Sequence, residues 1–217
     1  LKALNESRKK MTADGVEQAV KEIESSDQKE DKVLVVYLPD CHESLAGIIA
    51  GRLREKYYKP VFVLTKGEEY IKGSGRSIEE YSMFDELVKS KEYLVKFGGH
   101  PMAAGLSLEE KNIVPFRKSL NERQQMTEDD LIEKVWIDTR LPFGYITEEL
   151  VEQFALLLPF GKGNEKPVFA ERNVKILYRQ VLGINRNVVR MQLESEGIRM
   201  EGVWFGEGDM FLKETEG

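Results

Sequence analysis

The sequence predicts a mixed α/β domain followed by a smaller domain built mainly from short β-strands. In the first half, two short apolar runs, residues 33–38 and 61–64, flank a helical stretch, which is typical of buried parallel strands joined by a crossover helix. The second half offers three further strand candidates, at residues 168–178, 188–195 and 198–205. A two-residue gap between the last two candidates predicts a hairpin.

Apolar periodicity and end signals predict the helices of the first domain. Residues 1–26 are predicted to be helical because their apolar side chains recur at the spacing of one helix face. These side chains are Val16, Ala19, Val20 and Ile23. Asp40 and Glu43 stand at the spacing of a capping box, which predicts Asp40 as the N-cap of the crossover helix. Further helices are predicted at residues 83–90 and 113–124.

A change of composition predicts the domain boundaries. Residues 1–26 are expected to form a connector helix, and the α/β domain is expected at residues 27–125. The polar stretch at residues 122–130 marks its end, so the β domain is expected at residues 128–217. The chain begins without Met and without a signal sequence, and we expect it to be part of a longer chain.

The second domain has the pattern of a compact barrel. Alternating apolar residues predict a strand at residues 131–138, and Thr147 is the predicted N-cap of a short helix that ends at Leu158. Short strands around one small helix favour a barrel such as the OB-fold. Because an OB-fold needs five strands and only four convincing candidates are present, we expect the barrel to be incomplete in this chain.

Composition favours a globular protein of a reducing compartment. Of the 217 residues, 41% are hydrophobic and 32% are charged, and no apolar run is long enough to span a membrane. The single cysteine, Cys41, cannot form an internal disulfide, which favours a cytoplasmic location.

The net charge of −6 argues against a broad surface for nucleic acids. Residues 1–123 carry 21 basic and 21 acidic side chains, whereas residues 124–217 carry 11 basic and 17 acidic ones. A site for a polyanion must therefore be a local cluster of basic groups and backbone amides.

The segment Gly73-Ser74-Gly75-Arg76-Ser77 is the first candidate binding site. Its glycines would let the backbone approach a ligand closely, and the guanidinium of Arg76 matches two phosphate oxygens. If the segment is extended, alternation places Ser74 and Arg76 on the same side. The alternative is a surface turn with a solvated Arg76.

The segment Phe97-Gly98-Gly99-His100 is the second candidate. Consecutive glycines followed by His predict a tight loop that presents an imidazole to a phosphate oxygen or a metal-bound oxygen. The alternative is a turn in which His100 caps a backbone carbonyl. We interpret His42 as a neighbour of the helix N-cap and Cys41 as a small buried hydrophobe.

A third candidate lies in the second domain, in the glycine loop at residues 159–167. This loop contains Phe160 and Lys162, and aromatic rings beside basic groups bind single strands in many OB-folds. The alternative is a barrel loop with Phe160 in the core. Further candidates for the same groove are Tyr178, Arg179, Arg186 and Arg190.

The sequence lacks the residues of a metal-dependent nuclease centre. Such a centre needs several carboxylates and imidazoles, but the chain has only two His residues and no Asp-His-His triplet. Neither a Walker A loop nor a Ser-His-Asp arrangement is present. We therefore expect no metal or other cofactor in this chain, and the chain alone is predicted to be inactive.

The two glycine segments, in this order, resemble the DHH-associated domain of the DHH phosphoesterase superfamily, whose mark is the Gly-Gly-His motif. The wider pattern is similar to the RecJ family. Asn5-Glu6-Ser7-Arg8 resembles the opening of its connector helix, Lys72–Ser77 its phosphate-contacting strand, and Pro159–Pro167 a loop of its OB domain. The resemblance covers nearly the whole chain.

The resemblance implies the substrate-binding half of a 5′-to-3′ single-stranded-DNA exonuclease that acts in DNA repair and recombination. The full-length enzyme would hold Mn²⁺ or Mg²⁺ in an N-terminal DHH domain that is absent here. Its partners would be single-stranded DNA, that DHH domain and single-strand-binding protein. His100 would act near the scissile phosphate. Ser74 and Arg76 would hold the terminal phosphate. Together with the candidates found from the residues themselves, the residues expected to bind substrate are Ser74, Gly75, Arg76, Ser77, Gly98, Gly99, His100, Lys162, Arg179 and Arg190.

Two departures from the family pattern and two alternatives accompany this resemblance. Cys41–Gly47 stands where many members have Trp-His-x-Gly-Val-Ile-Gly, and Glu165 stands where Pro is usual. One alternative is a nano-RNA or cyclic-dinucleotide phosphodiesterase of the same superfamily, a class that generally lacks an OB domain. The other is a nucleic-acid-binding module without catalysis.

Overall fold

The computed structural model describes residues 2–161 and 163–216 of the chain. It divides the chain into two compact units, with the division between Glu133 and Lys134. Within the described ranges, no helix is both long enough and apolar enough to cross a membrane.

The first unit is a five-stranded sheet with helices on both faces. Its elements are α1 (Lys2–Glu24), β1 (Leu34–Tyr37), α2 (Glu43–Tyr57), β2 (Val61–Lys66), β3 (Ile71–Arg76), α3 (Met83–Lys89), β4 (Leu94–His100), β5 (Ala103–Leu108) and α4 (Ile113–Arg123). The strand order is β1-β2-β3-β5-β4. The predicted parallel pair is confirmed, since β1 and β2 are parallel, whereas the other neighbours are antiparallel.

The pleat of the sheet sends alternate side chains into two separate cores. On one face, Val36 and Val63 pack with apolar residues of α1 and α2. On the other face, Phe62 and Leu64 pack with apolar residues of α3 and α4. Burial on both faces explains why β1 and β2 are continuous apolar runs.

The prediction that Asp40 caps α2 was wrong. The N-cap is His42, whose Nδ1 accepts a hydrogen bond from the backbone N–H of Ser44 at 3.2 Å. Asp40 lies inside a turn, in which the N–H of Cys41 donates to the carbonyl of Leu38 at 3.1 Å. This turn delays the start of the helix beyond the capping-box position.

The loop predicted at Phe97–His100 is instead the end of strand β4, which pairs with β5 through Gly98 and Gly99. Gly99 has a φ of +149°, and a Cβ there would lie 2.4 Å from the carbonyl oxygen of Ala103. The turn comes one residue later, at Pro101 and Met102. The consecutive glycines therefore allow a distorted strand end to pair closely with its neighbour.

The second unit contains β6 (Thr139–Arg140), α5 (Glu148–Gln153), β7 (Phe169–Ala170), β8 (Lys175–Leu182), β9 (Val188–Ser195), β10 (Ile198–Phe205) and α6 (Gly208–Glu214). Strands β8, β9 and β10 form an antiparallel sheet, and β6 pairs with β7 in a separate parallel pair. The predicted hairpin is confirmed, because Glu196 and Gly197 both adopt positive φ between β9 and β10. Thr147 caps α5 as predicted, accepting from the N–H of Leu150 at 3.2 Å.

Two predicted strands of the second unit were wrong in extent. The alternating stretch 131–138 forms no ladder, and only Thr139 and Arg140 pair with β7. The candidate at 168–178 is broken at Asn173, whose φ of 55° turns the backbone between β7 and β8. Alternation shows which face a strand would bury, but a strand also needs a partner for its backbone hydrogen bonds.

Candidate nucleic-acid interface

An open polar surface lies on the first unit, on the sheet face that α2 covers only in part. We call it the glycine face and define it by three rows of aligned residues on β3, β5 and β4, whose side chains share this face because paired residues point the same way. The rows are Arg76–Ala103–His100, Ser74–Gly105–Gly98 and Lys72–Ser107–Lys96.

The glycine face is positively charged within an acidic chain. Its nine positions hold two Lys, one Arg and one His, and they hold no carboxylate. Lys72, Arg76 and Lys96 form no ion pair with any residue that the structure describes. This is the local basic cluster that the net charge of −6 requires of a polyanion site.

Arg76 and Ser74 point to the same side of β3, as alternation predicts. Arg76 Nη1 donates to the carbonyl of Gly75 at 2.8 Å and lies 3.5 Å from Ser74 Oγ. One guanidinium edge is thus held by the strand itself. The half-buried side chain retains donors for a phosphate, whose oxygens match the guanidinium geometry.

Helix α2 forms one wall of the glycine face and approaches it closely at Gly47. A Cβ at Gly47 would lie 2.9 Å from Ser74 Oγ and 3.0 Å from Arg76 Nη2. The absence of a side chain at this position therefore leaves room for both phosphate-binding candidates. Sequence reasoning missed Gly47, because nothing local shows which helix residue faces β3.

The middle row provides an open floor. A Cβ added at Gly98 would meet no atom within 4 Å, and one at Gly105 would meet only the carbonyl oxygen of Gly73 at 3.9 Å. No side chain rises from either strand here, so a ligand backbone can approach the sheet. His100 is exposed at the end of the next row.

Several predicted site residues lie away from the glycine face. A Cβ at Gly75 would lie 2.6 Å from Met83 Sδ, so this glycine is required by core packing rather than by ligand approach. Ser77 is 1% exposed, and its hydroxyl donates to the carbonyl of Tyr81 at 2.5 Å. Gly99 pairs with Ala104 and faces the opposite side from Gly98. Lys162 lies outside the described residues.

The two arginines predicted in the second unit are separated by the sheet. Arg190 on β9 lies opposite Gln180 on β8, which is the residue after Arg179. Paired residues point to the same face and successive residues of a strand point to opposite faces, so Arg179 and Arg190 lie on opposite faces of the sheet. Arg179 donates to the carbonyl and the hydroxyl of Thr215. Arg190 forms an ion pair with Glu201 at 2.5 Å. The structure therefore does not bring these residues into one groove.

Cys41 and His42 line a separate cleft at the start of α2, together with Lys66, Tyr70 and Lys72 and with three glutamates. Burial raises the pKa of the Cys41 thiol, so the thiolate is disfavoured. His42 is engaged as the N-cap of α2. The prediction that Cys41 is buried was wrong, because the side chain is only partly buried. His42 was predicted as a neighbour of the N-cap and is the N-cap itself.

Among residues 2–161 and 163–216, no group of three or more His, Cys, Asp or Glu side chains could hold a metal ion. The described residues therefore offer no ligand set that fits a divalent metal.

Sequence reasoning treated the two lysines of the glycine face incompletely. Lys96 was missed, and Lys72 was included only as the first residue of the segment that resembles a phosphate-contacting strand. The two-residue period of a strand could have placed both lysines on this face. Lys72 stands two and four residues before Ser74 and Arg76, and Lys96 stands two and four residues before Gly98 and His100. The period was overlooked at Lys96 because the second segment was interpreted as a loop.

Two protein-family models match the chain: the DHHA1 domain over residues 30–126 and the RecJ OB domain over residues 137–217. The Single-stranded-DNA-specific exonuclease RecJ of Bacillus subtilis is 31% identical over 211 residues. This chain belongs to the RecJ family. The family resemblance and the predicted fold class, an α/β unit followed by an open OB-like part, are thereby confirmed.

The other comparisons agree with membership of the RecJ family. RecJ of Haemophilus influenzae is 32% identical over 181 residues. The matches to these two relatives cover 95% and 79% of the chain, but the chain spans only 27% and 31% of their lengths. The crystal structure of Thermus thermophilus RecJ with Mn²⁺ gives a TM-score of 0.70 at 25% identity, covering 92% of this chain and 29% of that one.

Proposed function

We propose that this chain is the substrate-binding part of a 5′-to-3′ single-stranded-DNA exonuclease of DNA repair and recombination. The observation that carries the proposal is the glycine face, an open surface with free cations and no carboxylate. The RecJ family supplies the substrate class, since the relatives from Bacillus subtilis and Haemophilus influenzae are named as single-stranded-DNA-specific exonucleases. The RecJ OB match also favours this activity over a nano-RNA or cyclic-dinucleotide phosphodiesterase.

Within this proposal, Arg76 and Ser74 bind the terminal phosphate of the strand. Arg76 offers its remaining donors bidentately, and Ser74 donates its hydroxyl from the neighbouring position. Gly98 provides space for the nucleotide, and His100 donates a hydrogen bond to the next phosphate. Backbone contacts of this kind position a strand without reading its sequence.

In this proposal the chain binds the substrate, and another domain of the same protein hydrolyses it. A DHH domain of the same protein would supply the divalent metal, Mn²⁺ or Mg²⁺, opposite the glycine face, in the cytoplasm that the single thiol favours. Roles in the second unit for Lys162, Arg179 and Arg190, and for single-strand-binding protein as a partner, are part of the proposal. Arg179 and Arg190 would first have to leave their present partners, Thr215 and Glu201.

Binding of the 217-residue chain to labelled oligonucleotides tests the proposal. Arg76→Ala should weaken binding of a 5′-phosphorylated strand by about 1.5–3 kcal/mol, or roughly 10- to 150-fold, because charge-assisted hydrogen bonds are lost. The loss should be smaller for a 5′-hydroxyl strand. Arg52→Ala is the matched control, since Arg52 is an exposed residue of α2 that pairs with Glu55 at 3.1 Å.

Two results would contradict the proposal. One is equal affinity of the Arg76→Ala variant and the unaltered chain for both kinds of end. The other concerns the division of labour: shortening of the labelled strand on addition of Mn²⁺, in proportion to the purified chain, would show that the chain itself carries a nuclease centre.

A further inference from the structure

The third row of the glycine face holds two lysines for which the proposed function assigns no role. Lys72 on β3 aligns with Ser107 on β5, and Ser107 aligns with Lys96 on β4. The two ammonium groups therefore stand on the same side of the sheet as Arg76, on either side of a serine.

Both lysines are available to a ligand. Each is exposed, and neither forms an ion pair with a residue in the described part of the chain. Two other exposed lysines of this unit are paired: Lys89 with Glu86 at 2.7 Å and Lys118 with Glu122 at 3.6 Å. A phosphate at the third row would meet cations that no carboxylate has already neutralised.

The spacing of the rows suits a nucleic-acid backbone. Rows that are two residues apart along a strand are separated by about 6.7 Å, so the two charged rows, which are four residues apart, are separated by about 13 Å. This separation is of the order of two steps between neighbouring phosphates in one extended strand. Between the two charged rows lie Gly98 and Gly105, which place no side chain in the path. The middle one of three successive phosphates can therefore lie over the glycine floor while the phosphates on either side of it reach the cations.

The surroundings of Lys72 limit the direction of the path. On its other side, Lys72 borders the cleft at the start of α2, which also contains Glu43, Glu68 and Glu69. These carboxylates would repel a phosphate that moved into the cleft. The strand should therefore pass the third row on the side of Lys96, towards the free edge of β4.

We propose that Lys72 and Lys96 bind the second backbone phosphate beyond the one bound by Arg76, so that the glycine face spans three successive phosphates of a single strand. This inference rests on the proposed function, because it takes Arg76 as the first phosphate site. The ligand class is a single-stranded oligonucleotide with at least three phosphates.

The test compares ligands with one and with several phosphates on the 217-residue chain. The variant Lys72→Gln/Lys96→Gln should bind thymidine 5′-monophosphate as well as the unaltered chain does. It should bind a 5′-phosphorylated tetrathymidylate more weakly, and the slope of log K against log salt should become shallower by about 0.7, the change for one lost phosphate contact on a single strand. Lys118→Gln is the control, because α4 packs on the opposite face of the sheet.

The outcomes separate the inference from the proposed function. If the double variant and Lys118→Gln give the same slope with the tetranucleotide, the proposed phosphate site at the two lysines is wrong. If Arg76→Ala leaves both ligands unaffected, the proposed function itself fails. If the double variant weakens the mononucleotide as strongly as the tetranucleotide, the lysines act on the first phosphate and the two-row path is wrong. Circular dichroism melting of each variant checks that it is folded.

Discussion

The basic side chains of the glycine face, in the first unit, and four arginines of the second unit differ in whether they are paired with carboxylates. On the glycine face of the first unit, Lys72, Arg76 and Lys96 have no carboxylate partner in the described part of the chain. In the second unit, four arginines are ion-paired: Arg140, Arg186, Arg190 and Arg199. The comparison shows that the number of basic residues does not locate a polyanion site, because a cation already paired to a carboxylate attracts a phosphate much less.

The two units also differ in how many of their apolar side chains are buried. Of the buried hydrophobic side chains in the described residues, only Val189 belongs to the second unit. Large apolar side chains such as Trp136, Leu156 and Phe205 are 81%, 83% and 76% exposed there. The glycine face is thus built on a sheet with a core on each side, and a rigid support of this kind holds binding groups in fixed positions. The open sheet of the second unit has no comparable support.

The largest expected effect tests this difference in packing. Phe62 is fully buried and meets Phe116 edge-on at 5.6 Å between ring centroids. Phe62→Ala should destabilise the first unit by about 3–5 kcal/mol, through lost burial and a cavity. Phe205→Ala removes the same side chain from an exposed position and should change stability by no more than about 0.5 kcal/mol. Urea denaturation measures both, and similar effects of the two substitutions would contradict the packing difference.

A smaller effect is expected when a side chain is added to Gly47, on the wall that α2 forms beside the glycine face. Gly47→Ala would place a Cβ against Ser74 Oγ and Arg76 Nη2, so it should weaken phosphate binding by about 1 kcal/mol, or roughly fivefold. Gly51→Ala is the matched control on the same helix, because no atom lies within 4 Å of its added Cβ. The control should keep full affinity and stabilise α2 by about 0.5–1 kcal/mol. Equal affinities of the two variants for a 5′-phosphorylated strand would show that Gly47 does not protect the site.

The smallest expected effect tests whether an ion pair keeps an arginine of the second unit from binding DNA. Glu201→Gln removes the partner of Arg190, which pairs with it at 2.5 Å. If pairing withholds Arg190 from nucleic acid, the variant should bind single-stranded DNA slightly more tightly, with a slope against salt that is steeper by about 0.7. Glu152→Gln makes the same charge change on α5. Should the two variants tighten binding equally, net charge rather than the pairing of Arg190 would be the cause.

Sequence reasoning predicted the first unit better than the second, for a physical reason. The apolar runs of β1 and β2 specify burial on both faces, and this requirement alone leads to a covered parallel pair. The stretch 131–138 alternates correctly for a strand, but no neighbouring backbone completes its ladder. Local pattern determines what a segment would bury, whereas pairing depends on distant segments.

The candidate site was predicted in part for the same reason. Alternation within β3 correctly placed Ser74 and Arg76 together. It could not show that Gly75 faces Met83, that Ser77 bonds to Tyr81, or that Gly47 approaches from α2, because each of these contacts joins separate elements. Consecutive glycines before His100 suggested a loop, since glycine permits both a turn and the distorted strand end that the structure has.

The central claim is that the glycine face is the principal binding site for single-stranded DNA in this chain, ahead of the open sheet of the second unit. A map of backbone amide NMR shifts, recorded as a 5′-phosphorylated tetrathymidylate is added to the 217-residue chain, tests it most directly. The largest shifts are expected at Ser74, Arg76, Gly98 and Gly105, with little change in β8, β9 and β10. Shifts confined to those three strands, with the amides of β3, β4 and β5 unmoved, would contradict the claim.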